Sequence, residues 1–192
     1  VWTTYHASGF PSTSTSYRNG KKSGAYIRIG KDGYVEELIS YKDDVKHGPH
    51  RLFYKGARID KEVIYKDGIE DGLRKVFYQD AGIQEEAHIK SGKRNGLTVW
   101  YYKNGKKAVE YNYKNDEING PSTSYNEKGD ITIEGNFTNG LEQGHWKEYN
   151  DDGGLIHEGN YVNGVKDGAW KEYDGKGNFV KNINYKNGQE LN

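Results

Sequence analysis

The 192-residue chain contains no cysteine, which excludes disulfides, thiolate metal sites and cysteine nucleophiles. It contains no methionine, not even at position 1, so it reads as a processed chain or an excerpt of a longer one. With 28 Lys+Arg against 28 Asp+Glu it has no excess charge of either sign, which argues against a dedicated nucleic-acid binder. No apolar run approaches the roughly 18–20 residues of a membrane span. Leu, Ile, Val and Phe number only 35, too few for a thick aliphatic core. Disorder is not implied, because charge is balanced and there are only 3 Pro. What is abundant is Gly (26) and Tyr (17). Tyrosine suits a thin structure in which a ring buries one side and wets the other.

Self-similarity decides the rest. Tyr17, Tyr41, Tyr65, Ile89, Tyr113, Phe137, Tyr161 and Tyr185 recur every 24 residues and define position 1 of a module. Position 8 is Gly at 24, 48, 72, 96, 120, 144 and 168. Position 13 is Ile29, Phe53, Phe77, Tyr101, Tyr125, Tyr149 and Tyr173, and position 22 is mostly Glu. The register predicts one continuous array: a partial module at 1–16, seven full modules at 17–184, and a partial module at 185–192.

Each module holds two strand-like runs, positions 9–14 and 19 to the next 1 or 2. One turn is of the Lys103-Asn-Gly-Lys106 kind and the other of the Asn139-Gly-Leu-Glu-Gln-Gly144 kind. Alternation predicts one face paved by positions 1, 13, 19 and 23 and an opposite face bearing Glu and Asn. Two strands per module give about sixteen strands, a ribbon of roughly 75 Å that must twist.

The pattern Gly-x-x-x-x-Tyr-Tyr/Asn-x-Asn-Gly-Lys followed by Glu-Gly-Asn-Tyr-x-Asn-Gly-x-x-x-Gly resembles the MORN repeat, in its bacterial variant form. It is best seen from Gly96 to Gly120 and from Gly144 to Gly168, where Trp146-Lys-Glu-Tyr149, Glu158-Gly-Asn-Tyr161 and Asn163-Gly164 stand. The resemblance implies an all-β fold: hairpins stacked into an elongated, twisted, single-layer antiparallel sheet. It also implies scaffolding, protein-interaction or phospholipid roles, and antitoxin, surface or secreted settings among bacterial members. Asp43-Asp44, Asn115-Asp116 and Gly56-Ala57 depart from the usual turn residues.

An enzyme is not indicated, and no cofactor or metal is expected. His47 and His50 lack an obvious third ligand, Ser122-Thr-Ser124 has no His–Asp partner pattern, and Asp67–Asp71 lacks the calcium-loop order. One deviation points to binding. Positions 10, 12 and 14 should face away from position 13, yet they carry Trp2, Tyr26, Trp146 and Trp170, then Trp100, then Tyr54, Tyr78 and Tyr102. These eight rings form a candidate interaction stripe; the competing reading is a second stacked row, or a bulge that turns position 14 inward.

The expected function is a non-enzymatic scaffold or protein-interaction module. Self-association head to tail through the open ends is one form of it. Alternatives are an antitoxin or immunity-type protein, or a cell-surface carbohydrate-binding array; lipid ranks lower for want of a basic patch. The compartment is open, with a lean toward extracellular or cell surface.

Overall fold

The computed structural model describes residues 1–191, so the last residue of the partial module at 185–192 lies outside them. Every regular element is a β-strand. Among the described residues no helix is long and apolar enough to cross a membrane. The chain forms two compact units, Val1–Lys93 and Arg94–Asn192. In the first, β1 (Trp2–Tyr5), β2 (Pro11–Arg18), β3 (Lys21–Ile29), β4 (Val35–Lys42), β5 (Val45–Phe53), β6 (Ile59–Lys66), β7 (Ile69–Glu70), β8 (Gly72–Phe77) and β9 (Ile83–Lys90) follow one another. Each lies antiparallel to the one before, β8 pairing with β6 past the short β7. The second unit repeats this from β10 (Lys93–Tyr101) through β11 (Lys107–Lys114), β12 (Glu117–Tyr125), β13 (Ile131–Thr138), β14 (Leu141–Glu142) and β15 (Gly144–Tyr149). It ends in β16 (Leu155–Val162), β17 (Val165–Tyr173), β18 (Phe179–Lys186) and β19 (Gln189–Leu191). This is the expected all-β stack of antiparallel hairpins.

The strands are longer than the sequence runs suggested. The segment from position 3 to position 8 is not a loop: the chain reverses over two residues and strand resumes at position 5. Both central residues have positive φ, as at Asn139 (50°) and Gly140 (78°), which is the two-residue geometry matching the right-handed twist of the strands. Asp43-Asp44 and Asn115-Asp116 adopt the same turn, with φ of 69° and 72° at the second residue. Their second aspartate compensates for lacking glycine's freedom. Asp44 Oδ1 accepts the Lys22 amide and Asp116 Oδ1 the Arg94 amide, each at 2.7 Å. These turns also stack: Gly68 N donates to Lys46 O, Gly140 to Ile118 O, Gly164 to Glu142 O and Gly188 to Lys166 O, at 2.9 to 3.0 Å.

The opposite turn spans positions 14–17. The amide of 17 bonds the carbonyl of 14, as in Gly105 to Tyr102, and position 17 is left-handed. Two modules place alanine there, Ala57 at φ 65° and Ala81 at φ 73°. A Cβ is disfavoured in that region by roughly 1 kcal/mol. Ala57→Gly and Ala81→Gly should therefore each raise stability by about 0.5–1 kcal/mol, read as higher urea midpoints.

Every hairpin closed by this turn carries a register shift between positions 12 and 13, for instance Trp100/Tyr101, Ser124/Tyr125, Glu148/Tyr149 and Glu172/Tyr173. The extra residue is a β-bulge, and it reverses the faces beyond it. The extra residue is position 20, as with Ala108 and Thr132, so position 19 turns to the other face and position 13, which pairs with it, was misassigned by strict alternation. The hydroxyls of Tyr125, Tyr149 and Tyr173 donate to Glu110, Glu134 and Glu158 at 2.6 Å, so position 13 stands on the glutamate face. Position 19 goes with it: Tyr173 and Phe179 meet edge to face at 6.2 Å. Position 10 instead stands with positions 1 and 23. A second shift, between 23 and 1 on the neighbouring strand pair, falls beside the position 8 glycine, which is left-handed throughout.

The core of each unit is thin. In the first unit the buried side chains are Thr15, Ile39, Val63 and Ala87 at position 23, with Ile89 at position 1; in the second they are Thr98, Ser122, Trp146 and Trp170 at position 10, with Val99 at position 11.

Candidate functional site

The candidate surface is built by positions 1, 10, 12 and 23, and its chemistry differs between the two units. In the second unit it is a zigzag of rings. Phe137, Trp146, Tyr161, Trp170 and Tyr185 follow one another at centroid distances of 5.2, 5.5, 5.1 and 6.4 Å, with interplanar angles of 70–89°. Trp100, Tyr111 and Tyr113 extend it, Tyr111 meeting Phe137 at 5.7 Å. Each edge-to-face pair contributes about 0.5–1.5 kcal/mol beyond burial. Volume is matched across the sheet. Where position 10 is tryptophan, the neighbouring position 23 is Gly135 or Gly159, and the indole lies flat on that glycine's backbone. Trp170 Nε1 donates to Asn160 O at 3.0 Å. The corresponding Asn136 carbonyl is taken by the Gln143 amide, where β14 breaks from β15, and Trp146 Nε1 is left buried without a partner. Cations roof the row at position 6, Lys166 Nζ lying 3.9 Å from the centre of the Trp170 ring.

In the first unit the same face is partly ionic. Tyr26 meets Tyr41 at 6.3 Å. The next position 10 residue is His50, whose Nε2 lies 2.8 Å from Glu37 Oε1, and Arg28 Nε reaches the other oxygen of that carboxylate at 3.1 Å. Arg74 follows, paired with Glu85 at 2.9 Å. Burial pushes His50 below the ordinary histidine value against the pull of Glu37.

The eight rings of the expected stripe do not make one exposed surface. Trp146 and Trp170 are buried, at 7 % and 2 % exposure. Tyr26 and Trp100 are half-buried in the ring row, and Trp2 on β1 is exposed at 68 %. Position 14 lies at the hairpin turns. Tyr54 OH donates to Phe77 O at 2.9 Å and Tyr102 OH to Tyr125 O at 2.7 Å, while Tyr78 is half-buried in the same column. These rings are ties between successive turns. The sequence signal for the buried pair was present: each tryptophan follows a Glu-Gly-Asn glycine by eleven residues.

The opposite face is a lattice of glutamate, lysine and tyrosine. Glu158 accepts the Tyr173 hydroxyl, Lys171 Nζ at 2.9 Å and His145 Nε2 at 3.3 Å. The Tyr173 hydroxyl, then Lys171, hold its carboxyl down at about 2. Burial, then Glu110 and Glu134, push Tyr125 and Tyr149 up to about 12. Because the folded value of Glu158 lies below its ordinary 4.5, its contribution is complete above about pH 4.5 and vanishes as pH falls toward 2. Urea midpoints should therefore drop more on acidification for the wild type than for Glu158→Gln. The two should differ at pH 6 and converge near pH 2.

Among the described residues no three His, Asp or Glu side chains converge to hold a metal ion. The hydroxyl–carboxylate pairs are consumed in cross-strand contacts.

Two segments, 94–115 and 142–163, match the family model of the MORN repeat variant, and they coincide with the ring-rich second unit. No curated protein matches the chain.

Proposed function

We propose that this chain, which carries MORN repeats, is a non-enzymatic interaction scaffold that offers its ring-bearing face to a protein partner. One observation carries the reading: in the second unit the ring row is packed along its own length by its own rings, and among the described residues no other element of that unit lies over it. Apolar side chains such as Ile133 (40 % exposed) and Tyr17 (45 %) stand in solvent. An exposed apolar strip edged by charge is the usual chemistry of a protein contact. The carbohydrate reading draws less support, because edge-to-face rings spend their flat faces on one another rather than leaving a platform for a sugar.

The test is affinity capture from the source cells with wild-type chain, Ile133→Asp on the ring face, and Glu117→Lys at the exposed start of β12. The reading expects a captured protein that is lost with Ile133→Asp and kept with Glu117→Lys, circular dichroism showing all three folded. Capture unchanged by Ile133→Asp would contradict it.

A further inference from the structure

On the glutamate face of the first unit one row of charge is left unspent. Position 2 alternates with position 1, so it stands on that face. In the first unit it is a cation in every hairpin: Arg18, Lys42, Lys66 and Lys90, all exposed. Lys21, at position 5, stands opposite Arg18. Most other cations of this unit are committed. Arg28, Arg51, Lys55, Arg74 and Lys75 each engage a carboxylate, and Lys22 and Lys46 lie over rings. Arg18, Lys21, Lys42, Lys66 and Lys90 make no ion pair among the described residues. Three carboxylates of the same turns are spent locally: Asp44 Oδ1 on the Lys22 amide, Asp71 Oδ2 on the Ser91 amide at 3.2 Å, and Asp67 against His47 at 3.2 Å. Val45 and Ile69 stand opposite Lys42 and Lys66, 43 % and 54 % exposed. In the second unit Thr138 and Val162 interrupt the row, and Lys186 pairs with Asp167 at 3.5 Å.

Successive hairpins are two strands apart, so the four charges of position 2 recur at about 9–10 Å. A polyproline II segment returns to the same side every third residue, a repeat of about 9.3 Å. Acidic residues at that interval meet the cations one by one, and the residues between them reach Val45 and Ile69. A nucleic-acid strand of a duplex carries a phosphate every ~3.4 Å, and cations this sparse leave most of them unneutralised. A flat anionic membrane meets the turn tips first, and Asp43, Asp44 and Asp67 stand there at positions 3 and 4.

We infer that this row is a docking strip for an acidic, extended segment of a partner protein, with Asp or Glu at every third residue and apolar residues between. The strip lies in the first unit and the ring row in the second, so it stands or falls independently of the face proposed above.

Titration of the isotope-labelled full chain, followed by nuclear magnetic resonance at the amides of Lys42, Val45, Lys66 and Ile69, tests this. The probe is a capped peptide of Glu-Pro-Val repeats ending in a fourth Glu. Its controls are the same peptide with Lys for Glu, and a peptide of equal composition with its four Glu in one block. Saturable shifts are expected with the spaced peptide in the sub-millimolar range. The block peptide should bind at least about five-fold more weakly, because its charges reach fewer of the cations, and the Lys peptide should not saturate. Raising sodium chloride from about 0.05 to about 0.5 M should weaken the spaced peptide roughly ten-fold. Lys42→Glu/Lys66→Glu should weaken it at least about ten-fold, as like charges then face each other. Lys114→Glu/Lys176→Glu, the same change of charge in the second unit, should leave it within about two-fold. Absence of saturation, equal binding of the block or Lys peptide, or binding that survives in Lys42→Glu/Lys66→Glu overturns the inference. So does a response to that substitution seen only with phosphatidylserine vesicles or an oligonucleotide duplex. If Lys42→Glu/Lys66→Glu does not fold, the three peptides on the wild-type chain decide it.

Discussion

Gly159→Val unseats Trp170 and lowers stability by about 3–5 kcal/mol, the range of a large core side chain lost from its site. The reason is steric. A Cβ built on Gly159 falls inside the Trp170 indole, which is 2 % exposed and has no room to retreat. The indole then breaks its bond to Asn160 O and its edge contacts with Tyr161 and Tyr185. The measurement is urea unfolding with tryptophan emission, which should shift red before unfolding. The double variant Gly159→Val/Trp170→Ala should be more stable than the sum of the two single losses, because valine then fills space that the indole vacated. A loss below 1 kcal/mol for Gly159→Val would mean that the ring does not lie on that glycine.

The second large effect belongs to the position 8 glycines. Gly72 has φ +139°, and a Cβ there would approach Ile64 Cβ to 3.0 Å. Gly72→Val combines a backbone conformation closed to β-branched residues with a clash against a neighbour that cannot move, and should lose about 2–5 kcal/mol. Gly144→Val is the matched control at the same module position. Its φ is +77°, and nothing lies within 4 Å of the added atom. It should lose about 1–2 kcal/mol. Equal losses at the two sites would show that backbone freedom alone, and not the packing of the bulge, places glycine at position 8.

The period, the hairpins and the all-β class were legible because glycine and asparagine are tied to backbone geometry, and backbone geometry repeats. Asn139-Gly140 could hardly be anything but a tight turn. The sidedness of position 13 was not legible. A bulge adds one residue without a composition of its own, and one residue exchanges the faces. Tyr149 therefore reads as a partner of the position 1 rings, whereas it binds Glu134. The candidate stripe failed as a single surface for the same reason. Trp146 at position 10 and Tyr102 at position 14 share the same parity, yet one is core and the other is a turn tie. What would have separated them is volume, since Gly135 and Gly159 leave room for an indole and no other position 23 residue does.

The account depends most on the rings of positions 1 and 10 sharing a face from which position 13 is absent. An aromatic nuclear Overhauser spectrum of the full chain tests that directly. It should connect Phe137 to Trp146, Trp146 to Tyr161, Tyr161 to Trp170 and Trp170 to Tyr185, the pairs whose ring centres lie 5.1–6.4 Å apart. Tyr149 and Tyr173 should show contacts to the side chains of Glu134 and Glu158 instead. Cross-peaks joining Tyr149 or Tyr173 to Tyr161, with Trp146 and Trp170 outside the chain, would contradict it.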